Sequence, residues 1–264
     1  MSLFFSEVLK ALKASGPSEK CDLTSKLYEK WHQCLILKEK DISSEIEDYV
    51  VGRPEKPVLV SPKQLTKRKL STPEGHAALI HSLAHIEFNA INLALDACYR
   101  FQDMPEQYYQ DWLKVAYEEA YHFQLLNTHL HSLGYTYGDF VAHNGLWEMA
   151  EKTAYDVLVR MALVPRLMEA RGLDVAPSIR EKLMSIQDNK GADILSIIMD
   201  DEEGHVIVGN YWYNTLCKER EVNGLKTFME LIQKFAPSFL KGPYELDARR
   251  RAGFTEEELA FLTK

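Results

Sequence analysis

The chain has few cysteines, and none of them are arranged to hold a metal or a disulfide framework. Only four occur in 264 residues, scattered singly with no C-x-x-C pair. This spacing argues against a zinc ribbon, an iron–sulfur cluster held by thiolates and a disulfide-stapled scaffold. We expect reduced thiols, as in a cytoplasmic protein. The four are Cys21, Cys34, Cys98 and Cys217.

The sequence also lacks a long apolar run and an excess of positive charge. The apolar start of the chain is interrupted by Glu7 and Lys10, unlike a signal peptide, and no apolar run reaches the length of a membrane span. A net charge of −8 gives no broad attraction for nucleic acid or an anionic membrane. The basic runs "KQLTKRK" (63–69) and "ARRR" (248–251) could meet phosphates, but we favour a solvated surface. We therefore expect a cytoplasmic protein without a membrane partner, and a nucleic-acid partner is not favoured.

Prolines and glycines cluster in a few places, and most other residues follow a helical period, which predicts an all-α fold. Short amphipathic helices are predicted at 2–14 and 23–37. The proline-rich stretch 51–75 is predicted to be an extended strap whose Val58, Leu59 and Val60 cover a helical body. Four long helices are predicted at 75–101, 106–132, 145–171 with a kink at Pro165, and 178–217 with a break near "QDNKGAD".

Four long helices with short connections predict an antiparallel four-helix bundle. We expect residues 1–74 to form N-terminal helices and a strap packed on it, residues 75–220 to form the bundle, and residues 221–264 to form a C-terminal extension with a short helix.

Two Glu-x-x-His pairs lie inside predicted long helices, Glu119/His122 and Glu202/His205. A spacing of three residues puts both side chains on one helix face. Both faces are otherwise apolar, and charged groups on a buried face are costly unless they are paired or bind a metal. The pairs are therefore candidate metal ligands.

Single glutamates extend this pattern. Glu87 lies 32 residues before Glu119, and Glu169 lies 33 residues before Glu202. In an antiparallel helix pair, a separation of this length brings the second residue back to the same height along the helix axes as the first. The offsets of 82 residues (Glu87 to Glu169) and 83 residues (Glu119 to Glu202) indicate one two-helix unit used twice. One Glu from each of two helices and a Glu-x-x-His from each of the others is the ligand set of dinuclear carboxylate sites in ferritin-like bundles.

Other features have simpler interpretations. Glu29 and His32 repeat the spacing on a short helix, where a solvent-facing pair is expected. His81 and His85 are i, i+4, but His85 is turned away from Glu87, so ordinary helix–helix hydrogen bonds are favoured over a zinc site. An aromatic core is favoured over an electron relay for Trp112, Tyr117, Tyr121, Tyr211 and Trp212.

Several runs, among them "GRPEKPVL", "AHIEFNAINLALDACYRF", "DWLKVAYEEAYHFQLL" and "DDEEGHVIVGNYW", resemble a family of ferritin-like proteins known only as a domain of unknown function. The resemblance covers most of residues 51–254. The ligand pattern alone is also similar to that of the di-iron tRNA hydroxylase. Carried over, the motif falls on Glu87, Glu119, His122, Glu169, Glu202 and His205. Glu148 and Glu151 are alternatives to Glu169, which stands close to Pro165, Gly172 and Pro177.

The resemblance implies a dinuclear iron or manganese centre, since carboxylates and imidazoles suit these metals better than copper or structural zinc. It also implies an oxygen-dependent oxidoreductase or monooxygenase with an external electron donor and an unidentified substrate. Asp156, Asp200 and Asp201 are candidates to orient the histidines. The alternatives are an iron-storage or peroxide-removing protein and a ferritin-like scaffold without catalysis. A homodimer is compatible with the sequence but not indicated by any apolar stripe.

Overall fold

The structure, a computed structural model, describes residues 2–38, 49–237 and 242–263. It is an all-α helical fold, as the sequence predicts, and its extended pairing is limited to two-residue strands and one isolated bridge within these ranges. The residues separate into two compact units, Met1–Trp147 and Glu148–Lys264. The three-part division predicted from the sequence stays a prediction. In the described ranges no helix is long and apolar enough to cross a membrane.

The first unit contains a helical core and a short parallel strand pair. Its elements are β1 (Ser2–Leu3), α1 (Phe4–Lys13), α2 (Pro17–His32), β2 (Ile36–Leu37), a 3₁₀ turn (Pro62–Gln64), α3 (Pro73–Arg100) and α4 (Glu106–Ser132). The second helix was predicted at 23–37, so both of its bounds were misplaced by several residues. Pro17 occupies the first turn of α2, where the missing N–H costs nothing, and Cys34 at φ 55° follows the helix end.

Helices α3 and α4 form an antiparallel hairpin, very close to the predicted bounds. Thr72 accepts a hydrogen bond from the Gly75 N–H and starts α3, with Pro73 in the first turn. The aromatic rings of Phe88 and Phe123 lie 5.6 Å apart in the middle of the hairpin. Both rings are buried, so the apolar faces of the two helices form the core of this unit.

The proline-rich strap pairs with the loop that follows α4. The Val60 N–H donates to the Ala142 carbonyl at 2.8 Å, and the Ala142 N–H donates to the Val58 carbonyl at 3.1 Å. The prediction that the apolar strap residues cover the helical body was wrong for Val58 and Leu59, whose side chains are exposed. Backbone pairing, which the side-chain pattern does not encode, holds the segment.

The second unit begins within α5 and continues to the C-terminus. Its elements are α5 (Gly145–Lys152), α6 (Val157–Leu163), a π-helical segment (Val164–Glu169), α7 (Ala170–Ser185), α8 (Asn189–Glu219), α9 (Gly224–Phe235), α10 (Leu246–Arg251) and α11 (Glu256–Leu262). The predicted short C-terminal helix is thus two helices, α10 and α11, preceded by α9.

The predicted third helix is interrupted and longer than expected. Pro165 falls in the first turn of the π-helical segment, where proline lacks a backbone donor and crowds the preceding turn, while the predicted kink stays a prediction. The expected end near Gly172 was wrong, since α7 continues through Gly172 and Pro177 to Ser185. Packing against α8 outweighs the local cost of these residues, and the side chain of Arg180 donates to Ser196 of α8 at 2.7 Å.

The predicted start of the fourth helix at 178 was wrong for the same reason. The "QDNKGAD" stretch is where α7 and α8 meet. Gln187 takes a φ of 63°, and Asp188 then caps α8 by accepting from the Gly191 N–H at 2.8 Å. The two helices consequently turn back on each other, as α3 and α4 do in the first unit.

Candidate metal centre

Three predicted ligands lie together in the middle of the α3–α4 hairpin. Glu87 comes from α3, and Glu119 and His122 come one turn apart on α4. The side chains of Glu119 and His122 are fully buried, and Glu87 is 4% exposed. The 32-residue separation between the two glutamates therefore does return the chain to the same level of the hairpin.

The donor atoms of this cluster converge at ligand spacing. Nδ1 of His122 lies 3.3 Å from Oε2 of Glu87 and 3.5 Å from Oε2 of Glu119. One donor atom from each of the three residues falls within 4.8 Å of the other two. Two donors each about 2.1 Å from one ion and about 90–110° apart lie about 3.0–3.5 Å from each other. The cluster thus has dimensions that fit a single metal ion.

The electrostatics of the cluster favour a bound cation. Burial, and then the neighbouring Glu119 carboxylate, raise the pKa of Glu87 to about 8, while His122 acts in the opposite direction. A buried carboxylate whose pKa is raised in this way is destabilised when charged. A cation among these donors would remove that cost, because it neutralises both carboxylates at once.

The second Glu-x-x-His pair lies on α8 in the second unit. Nδ1 of His205 is 3.8 Å from Oε2 of Glu202, and the two side chains are only 2% and 13% exposed. The pair repeats the spacing of Glu119 and His122, and both motifs lie inside long helices, on faces that are otherwise apolar. Each unit therefore carries one buried carboxylate–imidazole pair at helical spacing.

Glu169, the fourth predicted glutamate, is the last residue of the π-helical segment. One of its carboxylate oxygens is buried. Its alternatives, Glu148 and Glu151, are both exposed on or just after the first turn of α5. Burial therefore favours Glu169 as the ligand candidate from this part of the chain.

His81 and His85 bind the loop after α4. The Gly138 N–H donates to Nε2 of His81 at 3.0 Å, and Nδ1 of His85 lies 2.8 Å from the Tyr137 hydroxyl. Burial lowers the pKa of both imidazoles to about 4, so both are neutral at physiological pH. The favoured prediction of hydrogen bonds for these histidines is confirmed, but the partners lie in a loop, so the predicted helix–helix contact was wrong.

The aromatic residues near the motifs divide into two groups. Trp112 and Trp212 are buried, as an aromatic core requires, but the tyrosines are exposed, so for them that prediction was wrong. Tyr117 stacks on Tyr28 of α2, with ring centroids 4.4 Å apart. The three tyrosines lie on the same helices as the candidate ligands, but on the exposed faces of those helices.

The "ARRR" run is engaged in ion pairs within the second unit. Arg249 is buried against Asp174, with Nη2 2.6 Å from Oδ2. Arg250 pairs with Glu256 at 2.6 Å and Arg251 with Glu203 at 2.8 Å. The expectation of a merely solvated surface was thus wrong for Arg249, and these cations already have carboxylate partners.

Two other predictions can be compared with the structure. Glu29 and His32, the pair with the same spacing on α2, are exposed to solvent as expected. Asp156, a candidate to orient a ligand histidine, instead caps α6 by accepting from the Leu158 N–H at 2.7 Å and pairs with Arg220. That role was therefore not predicted correctly.

Arg166 and Glu258, which were not predicted from the sequence, form a buried ion pair in the second unit. Arg166 directly follows Pro165 in an apolar stretch, and this was the available signal, because a buried arginine requires a partner.

Comparison with known proteins gives a family but no function. The sequence model of a family described as "Protein of unknown function (DUF455)" matches residues 13–260. A protein of Haemophilus influenzae, described as an uncharacterized protein, is 47% identical over 268 residues, which cover 98% of this chain and 93% of the relative. No solved structure matches the chain.

Proposed function

This chain belongs to the DUF455 family of proteins of unknown function, and we propose that it is a ferritin-like protein with a dinuclear iron or manganese centre. The six ligands in this proposal are Glu87, Glu119, His122, Glu169, Glu202 and His205. The main support for this proposal is the buried cluster of Glu87, Glu119 and His122, whose donor atoms are spaced like the ligands of one metal ion.

The chemistry of the donors supports two divalent ions. Four carboxylates carry a charge of −4, which two divalent cations balance, so the centre is neutral and compatible with burial. Oxygen and imidazole donors without thiolate suit iron and manganese. All four cysteines are free thiols, and none belongs to a cluster of ligand-type residues in the described part of the chain.

The proposed activity is an oxygen-dependent oxidation or hydroxylation of an unidentified substrate, with electrons from an external donor. A bound pair of iron ions supplies the redox chemistry with oxygen. The protein positions the carboxylates on rigid helices and excludes water from them, since Glu119 and His122 are fully buried. The neutral form of each histidine is the one that binds metal.

The test is the metal content of protein purified from cells supplied with both iron and manganese, measured by elemental mass spectrometry. We expect about two ions per chain, and substantially less in Glu119→Ala and His205→Ala, with the helical circular dichroism largely retained. His32→Ala is the matched control, because His32 has the same motif spacing but is exposed. Full occupancy in both ligand variants, or no bound metal after anaerobic Fe(II) loading, would refute the centre.

The same preparation separates the proposed enzyme from the alternatives. An iron-storage protein would take up many more than two ions per chain and form a large assembly, which light scattering detects. An oxygen-dependent enzyme loaded with two Fe(II) per chain should instead consume oxygen with a stoichiometry fixed by the site. A scaffold would retain no metal at all.

A further inference from the structure

Arg166 is fully buried in the π-helical segment, three residues before Glu169. Its guanidinium lies against the rings of Tyr213, Phe228 and Phe254, at 4.6, 4.4 and 4.9 Å from the ring centroids. These rings come from α8, from α9 and from the segment just before α11. The arginine therefore ties the π-helical segment to three other parts of the second unit.

Glu258 of α11 supplies the opposite charge. Its Oε1 lies 2.5 Å from Nη2 of Arg166, in the geometry of an ion pair and not of an aligned hydrogen bond. Its Oε2 accepts from the Thr255 N–H at 2.9 Å, which completes the capping box of α11. Nε and Nη1 of Arg166 have no hydrogen-bond acceptor among the described residues. Glu258 is thus the anion that compensates a buried cation.

The π-helical segment also depends on a close approach of α8. A Cβ added to Gly209 would lie 2.5 Å from Cβ of Pro165. Only glycine permits this close approach of the two helices. Helix α8 therefore supports one side of the segment, and the aromatic rings and Glu258 surround Arg166. Isolated π turns are rare and are found frequently at functional sites.

The register of this segment determines where Glu169 points. A π turn contains one residue more than an α turn, and one residue corresponds to about 100° of rotation around a helix. If the segment relaxed to α-helical bonding, Glu169 and α7 would be rotated by about that angle relative to α6. A carboxylate turned by so much could not remain in the same site.

We propose that Arg166 and Glu258 are positioning residues that hold the π-helical segment in register and thereby orient Glu169. This inference rests on the proposed function, in which Glu169 is a metal ligand. The C-terminal helix α11 consequently contributes to the centre without supplying a ligand.

The second unit offers a matched control in the pair Arg249 and Asp174. This pair is also buried, with Nη2 2.6 Å from Oδ2, and it also joins the C-terminal region to the chain after the π turn. Asp174 lies in α7, beyond the π-helical segment. Loss of either pair should destabilise the unit. Arg249 also donates to the Ala170 carbonyl at 3.3 Å, but Asp174→Asn retains Arg249, so we expect this variant to disturb Glu169 much less than loss of the first pair does.

The experiment compares Glu258→Gln with Asp174→Asn in the full chain. Glutamine keeps an acceptor for the capping box but removes the charge that compensates Arg166. In metal-free protein, we expect amide hydrogen exchange at 164–170 to rise roughly tenfold or more in Glu258→Gln and much less in Asp174→Asn. With Mn(II) or Fe(II) added, Glu258→Gln should bind about one ion per chain, and Asp174→Asn should keep two. The conservative Glu258→Asp should recover part of both properties.

Equal effects of the two variants on exchange at 164–170, or two ions retained in Glu258→Gln, would overturn the proposal. Failure of the proposed function gives a different result, because the wild-type protein itself would then bind no metal. In that case the role in orienting a ligand is also refuted, and hydrogen exchange alone decides whether the pair holds the π-helical segment. If Glu258→Gln does not fold, Glu258→Asp serves for the comparison with smaller expected effects, because the shorter side chain keeps the charge but moves it away from Arg166.

Discussion

Replacing Glu119 by glutamine should change stability in opposite directions with and without metal. In the metal-free protein, Glu119 is the second-largest cause of the raised pKa of Glu87, after burial. The folded chain therefore holds a proton that the unfolded chain releases, and the metal-free fold loses stability as pH rises from about 4.5 to about 8. Glutamine removes the charge of Glu119, and with it the repulsion of Glu87, but keeps the size and shape of the side chain. Each pKa unit that Glu119 contributes corresponds to about 1.4 kcal/mol, so we expect Glu119→Gln to stabilise the metal-free protein by about 1–2 kcal/mol at pH 8.

With metal the order should reverse. A ligand present at about 100 times its dissociation constant stabilises the wild-type fold by about 2.7 kcal/mol, and the variant loses most of this because it lacks a ligand. Urea unfolding followed by circular dichroism measures the stability difference between wild type and variant in both states, with chelator and with Mn(II). Glu118→Gln is the control. Its i, i+4 pair with the exposed Lys114, at 2.8 Å, should contribute less than about 0.5 kcal/mol under either condition. A Glu119→Gln variant that is less stable than wild type in chelator would refute the electrostatic reasoning.

Three further predictions concern the surrounding fold. Burial lowers the pKa of Lys20 to about 7, so the folded protein loses a proton that the unfolded chain keeps between pH 7 and 10. The stability of the wild type relative to Lys20→Met should therefore rise over this range, by at most about 1.4 kcal/mol per pH unit. Urea unfolding of both proteins across this range tests the sign. Gly209→Ala should cost about 1–3 kcal/mol, because its Cβ would lie 2.5 Å from Cβ of the proline in the π-helical segment, whereas Gly204→Ala, with open space around it, should not destabilise in the same thermal melt. Tyr137→Phe removes the hydroxyl bound to His85 and should cost about 1 kcal/mol, with faster hydrogen exchange in the loop after α4.

Local signals in the sequence were sufficient for the first hairpin. A capping threonine before Pro73 predicts the start of α3, Gly134 predicts the end of α4, and both boundaries agree closely with the structure. The apolar stripe on each helix then places Glu87 and Glu119 on facing sides. Their convergence follows from helix geometry alone, which explains why these residues could be selected from the sequence. Their role as metal ligands stays a prediction.

The same signals misled in the second hairpin because tertiary packing overrides them there. Gly172 and Pro177 are helix-breaking residues, yet α7 continues through both and packs along α8. A π turn has no sequence signature beyond Pro165, and the partner of Arg166 is nearly a hundred residues away in the sequence. Neither the direction of Glu169 nor its dependence on α11 could be derived from periodicity, which assumes a uniform rotation per residue.

The cost of the buried carboxylates is itself an argument about function. A cluster of apolar residues of similar size at Glu87 and Glu119 would stabilise the hairpin, because it would remove both desolvation and mutual repulsion. Yet the sequence places both carboxylates against His122, and the pKa of Glu87, which burial and Glu119 raise, reflects a penalty in the metal-free state. At neutral pH, a cation that joins the cluster removes that penalty. The sign reversal expected for Glu119→Gln therefore tests the central point: if the carboxylates destabilise the fold without metal and stabilise it with metal, the cluster is arranged for binding and not for folding.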